Sequence, residues 1–406
     1  MVTKFLQYLT VVLVVTSTLR AGSVLPEVQV PEAHIPEIQL IPEIPIPEIQ
    51  KVLGTPEKLP VITVFIHGTV LRYFSLPIIY HMMRIGMQEV YGADSAYQQT
   101  LRFHTVFRQQ PMTPEGLWVL RAPAMTNRIT QSNNAFVDTY EAVWRAAYPN
   151  EKNLAPQLYA FGWDGRLSRR HRRRAAYKLY DALMLERTKL AITHNCLPDQ
   201  IAIQVFGHSH GGNVALLLAH VHNEKKQNLT IKQLVLMGTP IQQETMDFVC
   251  DPLFKSVINI YSMGDIVQTG DRFSTRGKSL RRPVCEHNEL HVKNVEITVA
   301  ADEQESKRLE PLHAQLWGFD ANNVFINALI RKIPINPFPI STFLPALLAL
   351  IERTKGYDFN ACIVKYKESG YRVQLEPRER AAVTGPDSVL LAHNLFDGAK
   401  KALRFS

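Results

Sequence analysis

A glycine–x–serine–x–glycine pentapeptide is the part of the chain whose residue types point most directly to chemistry. Its serine is Ser209, flanked by Gly207 and Gly211. The apolar run 201–205 precedes it and the small-residue run 213–219 follows it, which predicts a strand, a sharp turn and a helix. Glycines suit such a turn because Cβ atoms would crowd it. The pattern predicts that Ser209 is a nucleophile exposed above a sheet; an ordinary turn serine is the alternative.

A serine hydroxyl is a weak nucleophile until a base activates it and an acid orients that base. Asp265 comes just after the strand-like run 257–261, where an open α/β sheet places functional side chains. His313 follows a further strand-like run, 295–300. These positions predict Asp265 as the acid and His313 as the base. The alternatives are a turn aspartate and a histidine packed beside Trp317.

Two backbone amides are predicted to stabilise the oxyanion of such a reaction. Thr69 follows the strand-like run 60–66 in a His-Gly-Thr loop, and its N–H is the first predicted donor. His210 follows the nucleophile, and its main chain is the second. The imidazole rings of His208 and His210 are predicted to line the pocket.

Five segments, taken together, resemble the lipase and esterase branch of the α/β-hydrolase superfamily. They are 65–69, 207–212, 237–240, 261–265 and His313. The chain order serine, aspartate, histidine is the order expected for that superfamily. The resemblance is closest to triacylglycerol-lipase-like proteins and spans residues 59–330. It implies an α/β-hydrolase fold with a mostly parallel central sheet, helices on both faces, and ester or acyl chemistry.

The sequence therefore predicts a serine hydrolase that cleaves carboxylic esters, with lipids as the expected substrates. Two alternatives stay open, an acyltransferase with the same triad and a non-catalytic surface protein on a hydrolase scaffold. The intact order of the three residues favours an enzyme over the surface protein. No cofactor is expected, and no metal, because the cysteines are not closely spaced as ligands would be.

The segment between the oxyanion loop and the serine is rich in aromatic and basic residues. Run 158–165 is predicted as a strand and turn, and Trp163 at its end is a candidate wall of the substrate pocket; a packed aromatic is the alternative. The helical segment 166–192 has a run of five arginines in its first turns, at 169, 170 and 172–174. They suit an anionic membrane surface or a phosphate-bearing substrate, and a solvated helix face is the alternative. No nucleic-acid partner is expected, since no binding motif accompanies them.

The composition is that of a globular enzyme, and the N-terminal segment predicts that it is exported. The 406 residues, 46% hydrophobic and 20% charged, allow a large buried core, and the net charge of +8 is modest. Residues 1–23 resemble a secretory signal peptide, which predicts a secreted, periplasmic or envelope-associated protein; an uncleaved anchor is the alternative. Pro-Glu pairs recur through 24–58, five of them between residues 26 and 48, and they predict that this segment is an extended tether. The catalytic domain is predicted over 59–330.

The C-terminal segment, 331–406, is predicted as an extension with two elements. Its apolar run 343–351 predicts a helix, either a lid or a buried element of the core. Segments 361–366 and 371–375 predict a β-hairpin. The four cysteines, at 196, 250, 285 and 362, allow up to two disulfides in an oxidising compartment.

Overall fold

A computed structural model describes the residues that form the fold and the candidate site. The described residues are 59–68, 115–121, 128–151, 156–166, 168–265, 268, 291–300, 308–311, 313–316, 340–354, 358–366, 370–378 and 387–391. All of them belong to one unit, Leu53–Ser406. The predicted signal peptide, the predicted tether and the predicted boundary between residues 330 and 331 lie outside the described residues, so those predictions stand as made.

A mixed β-sheet forms the centre of the described structure. Its eleven strands among the described residues are β1 Val61–Ile66, β2 Gly116–Val119, β3 Pro156–Gly162, β4 Ala202–His208, β5 Gln233–Met237, β6 Val257–Tyr261, β7 Val292–Ala300, β8 Arg308–Leu309, β9 Asp358–Tyr366, β10 Gly370–Pro377 and β11 Asp387–Leu391. The order across the sheet is β11-β10-β9-β7-β6-β5-β4-β1-β3-β2, with β8 paired to β7. The run from β9 to β3 is parallel throughout. Strands β2, β8, β10 and β11 pair antiparallel with their neighbours.

Helices cover both faces of this sheet. The described α-helices are α1 Arg128–Ala147, α2 Arg169–Thr193, α3 His210–Lys225, α4 Gln243–Met246 and α5 Leu344–Arg353. Helices α1 and α5 pack in one hydrophobic cluster with one set of strand side chains, and α2 and α3 pack in a second cluster with the other set. Alternate residues of β1 show the division, because Ile62 and Val64 belong to the second cluster and Phe65 to the first.

The sequence of the central strands explains their position. Strands β5 and β6 are buried along their whole length, and their composition is almost entirely apolar. Parallel strands that are covered on both faces require such continuous apolar runs. The prediction of an α/β fold with a mostly parallel sheet and helices on both faces is confirmed.

The C-terminal elements belong to the same sheet and core. The predicted hairpin is confirmed as β9 and β10, and β9 pairs parallel with β7. Of the two alternatives for the apolar run, the buried helix is observed, since Leu344–Ile351 are all buried in α5. Helix α5 is also tied to α1, where the Arg353 guanidinium donates a hydrogen bond to the carbonyl oxygen of Ala147.

Candidate active site

Ser209 occupies the sharp turn between β4 and α3. Its backbone has φ 52° and ψ −131°, a strained conformation for a residue with a Cβ. The Ser209 N–H donates to the carbonyl oxygen of Met237 at 3.0 Å, which fixes the turn to the end of the neighbouring strand β5. Strand, strained turn and helix agree with the predicted local structure.

The prediction that Ser209 is exposed is wrong for the residue as a whole, because only 5% of its surface is accessible. The loop after β1 lies against it: a Cβ placed on Gly68 would come within 2.7 Å of the Ser209 Cβ. Glycine at position 68 therefore lets the loop backbone approach the serine.

The two glycines that flank the serine are required by close packing of the backbone. A Cβ on Gly207 would lie 2.6 Å from the Cα of Gly212. A Cβ on Gly211 would lie 2.5 Å from the carbonyl oxygens of Ile66 and His67. The pentapeptide is thus wedged between its own helix and the end of β1, where a larger residue would displace the turn.

Asp265 and His313 meet beside this turn. The His313 Nδ1 lies 2.8 Å from the Asp265 Oδ2, and Asp265 has 0% exposed surface. The other carboxylate oxygen, Oδ1, accepts a hydrogen bond from the Gln268 backbone N–H at 3.0 Å. Asp265 follows the end of β6, and His313 opens the 3₁₀ turn His313–Leu316, as the sequence placed them relative to the strands.

Gly238 lies next to both the Asp265–His313 pair and the strand end that holds the serine turn. It follows Met237, whose carbonyl oxygen holds Ser209, and its φ is +55°. A Cβ on Gly238 would lie 2.6 Å from the Asp265 Oδ2 and 3.3 Å from the His313 Nδ1. The structure thus gathers all three predicted residues at the carboxyl ends of β4, β5 and β6, while their catalytic roles remain predictions.

His208 is a further member of the cluster. Its ring centroid lies 4.6 Å from that of His313, and its Nε2 lies 3.1 Å from the His313 carbonyl oxygen. Since a carbonyl oxygen can only accept, the Nε2 of His208 carries the proton. Burial lowers the pKa of His208 well below its usual value, and the adjacent His313 lowers it further. The sequence predicted a pocket-lining ring here and missed its contact with the base.

Of the two predicted oxyanion donors, the structure describes His210 and not Thr69. His210 is the first residue of α3, so its N–H lies at the helix end that carries partial positive charge. Thr69 lies outside the described residues, and Gly68 is the last described residue of its loop. Because Gly68 lies close to Ser209, the described part of this loop lies beside the serine.

Trp163 lies at the end of β3 and supports the same loop. Its indole Nε1 donates to the His67 carbonyl oxygen at 2.8 Å, and the two rings stack with centroids 5.8 Å apart. The His67 Nδ1 lies 2.7 Å from the Gly68 carbonyl oxygen. With 1% of its surface exposed, Trp163 matches the packed aromatic that was the alternative; its contact with a substrate remains a prediction.

The arginine run divides into exposed and buried members. Arg170 and Arg174 are exposed, and Arg173 is exposed but paired with Glu224 at 2.6 Å. Arg172 has 0% exposed surface and donates to the Gln242 Oε1 at 2.6 Å. Sequence alone gave no signal that one of the five lies in the interior, where it joins α2 to the loop after β5.

No helix in the described ranges has the length and hydropathy to cross a membrane. The same ranges contain no group of three or more histidine, cysteine or acidic side chains that could hold a metal ion. Among the described residues, no disulfide joins Cys196, Cys250 and Cys362 to one another, and Cys285 lies outside the described residues.

Comparison with known proteins gives one structural likeness. No protein-family model matches the chain, and no curated protein matches its sequence. A solved structure titled "Structure of arylesterase" is similar over 69% of this chain and 97% of that chain, with 12% sequence identity and a TM-score of 0.28. At that identity and TM-score, the likeness assigns neither a family nor a function to this chain.

Proposed function

We propose that this protein is an exported serine hydrolase of the α/β-hydrolase type that cleaves carboxylic esters, with lipids as its substrates. One observation carries the proposal: a strained serine turn lies at the strand ends where a buried aspartate meets a histidine. Parallel α/β sheets place functional groups at this edge, and a nucleophile, a base and an orienting acid are the groups that acyl transfer requires.

The proposed reaction has two halves, acylation of Ser209 and hydrolysis of the acyl-serine. His313 takes the proton of the Ser209 hydroxyl as its oxygen attacks the ester carbonyl carbon, and Asp265 stabilises the imidazolium that forms. The main-chain N–H groups of His210 and Thr69 donate to the oxyanion. The tetrahedral intermediate collapses, the C–O bond to the alcohol breaks, and His313 returns the proton to the alcohol. Water then attacks the acyl-serine by the same steps and releases the carboxylic acid.

Labelling with a fluorophosphonate probe tests the nucleophile directly. We expect one probe to attach to the wild-type protein, at Ser209, and no labelling of Ser209→Ala. Ser256→Ala is the matched control, because Ser256 precedes β6 and so lies at the opposite edge of the sheet. Folded wild-type protein that stays unlabelled would argue for the non-catalytic scaffold.

A panel of p-nitrophenyl esters of increasing acyl length tests the substrate class. We expect hydrolysis that depends on Ser209 and favours long acyl chains; a preference for short chains would contradict lipids as substrates. Product analysis with an added alcohol acceptor separates the reactions, since an acyltransferase would yield a new ester where a hydrolase yields the free acid.

A further inference from the structure

We propose that His208 is a positioning residue for the base: its imidazole holds the His313 turn against the serine turn. The inference rests on the proposed function, because it assigns His208 a role through His313. The position matters because His208 directly precedes Ser209 in the chain. A contact between His208 and His313 therefore links the turn that carries the serine to the turn that carries the base.

Two contacts of different kinds hold His313 in this way. The two imidazole rings lie against each other with centroids 4.6 Å apart and planes inclined by 36°. The Nε2–H of His208 also donates to the main-chain carbonyl of His313 at 3.1 Å. The ring contact restrains the His313 side chain, and the hydrogen bond restrains its backbone.

His313 needs such restraint because its own turn is short. It opens a 3₁₀ segment of four residues, which has little internal hydrogen bonding. The base must nevertheless keep one nitrogen on Asp265 and direct the other at the serine hydroxyl. Misplacement of a catalytic group by about 1 Å costs on the order of a hundredfold in rate. A fixed backbone at His313 therefore keeps the reaction rate high.

The surroundings of His208 keep it neutral while His313 gains and loses its proton. His208 is 8% exposed, and burial is the main cause of its lowered pKa. The nearby His313, His67 and His210 lower the pKa further. An imidazole that charged together with His313 would repel the imidazolium that Asp265 stabilises. A histidine in this place thus supplies a donor without adding a competing charge.

Substitutions that keep or remove the Nε2 donor test this role. Glutamine can place its amide nitrogen near the position of the His208 Nε2, whereas methionine has similar bulk and no donor. We expect His208→Met to lower kcat by roughly tenfold to a hundredfold with little change in KM, and His208→Gln to recover most of the loss. His208→Asn, whose amide is too short to reach the carbonyl, should resemble His208→Met and replaces it if that variant does not fold.

Two measurements separate positioning from general stability. The far-downfield proton resonance of an imidazole N–H bonded to a carboxylate reports the contact between His313 and Asp265. We expect it in wild type and His208→Gln and expect it weakened in folded His208→Met. The acid limb of the pH–kcat/KM profile should follow a single protonation in wild type and His208→Gln.

The outcomes are distinct. Equal activity of folded His208→Gln and His208→Met, or a two-proton acid limb in wild type that becomes one-proton in His208→Gln, would overturn the positioning role. Absence of esterase activity and of probe labelling in the wild type would instead defeat the proposed function. The imidazole resonance would still show in that case whether His208 holds His313.

Discussion

The Nδ1 of His313 lies 2.8 Å from the Oδ2 of Asp265, a carboxylate with no exposed surface. This contact places the imidazole proton on Nδ1 and leaves Nε2 free of a proton when the ring is neutral. The nitrogen that can accept a proton is thereby set by the aspartate. Glycine at position 238 leaves room for this contact, because any Cβ there would collide with the Asp265 carboxylate.

Replacing Asp265 with asparagine is expected to lower kcat by on the order of 10⁴-fold, because an amide favours the wrong imidazole tautomer. The measurement is steady-state hydrolysis of a p-nitrophenyl ester. The control is Asp251→Asn, which alters an aspartate whose Oδ1 accepts from the Leu253 backbone N–H. Asp251→Asn should stay within about twofold of wild type; a comparable loss in both variants would contradict the assignment of the acid.

Replacing Trp163 with phenylalanine distinguishes support of the loop from contact with substrate. The variant loses the hydrogen bond to the His67 carbonyl oxygen, at a cost of about 1 kcal/mol, which corresponds to about fivefold in rate. If Trp163 acts through the loop, kcat should fall by the same factor for esters of short and long acyl chains. A change in the ratio between the two esters would show that the indole lines the pocket.

Replacing Gly212 with alanine tests how tightly the serine turn is packed. The new Cβ would overlap the Thr239 side chain, and overpacking of this kind costs about 1–3 kcal/mol. We expect a lower free energy of unfolding in urea denaturation. The additional change Thr239→Ala should recover part of the loss, because it removes the two nearest atoms; strictly additive effects of the two substitutions would contradict the contact.

Stability below neutral pH should depend on His208. Burial lowers its pKa well below the usual value, so as pH falls through about 6.5 the unfolded chain binds a proton there and the folded chain does not. The free energy of unfolding should therefore decrease by about 1.4 kcal/mol per pH unit from this residue, until the pH reaches its folded pKa.

His208→Gln removes this contribution and leaves His67, His210 and His313 in place. Urea titrations at a series of pH values should show a shallower loss of stability in the variant than in wild type between about pH 6.5 and 5. Parallel curves for the two proteins would show that His208 titrates normally in the folded state.

The sequence determined the local features of this protein because their causes are local. Period-two and continuous apolar runs marked the strands, and glycines two positions either side of Ser209 marked the turn, since both depend on neighbours in the chain. The hairpin of β9 and β10 and the long helix α2 follow in the same way. The order of the strand ends also indicated which aspartate and which histidine could reach the serine.

Only the tertiary structure decided which of these groups touch and which are covered. Asp265 and His313 are 48 residues apart, and His208 meets His313 across 105 residues. Arg172 is buried and donates to Gln242, 70 residues away, although Arg173 and Arg174 are exposed. Such contacts arise when parallel strands bring their ends together, and hydrophobic periodicity reports the face on which a residue lies but not its partner across the sheet.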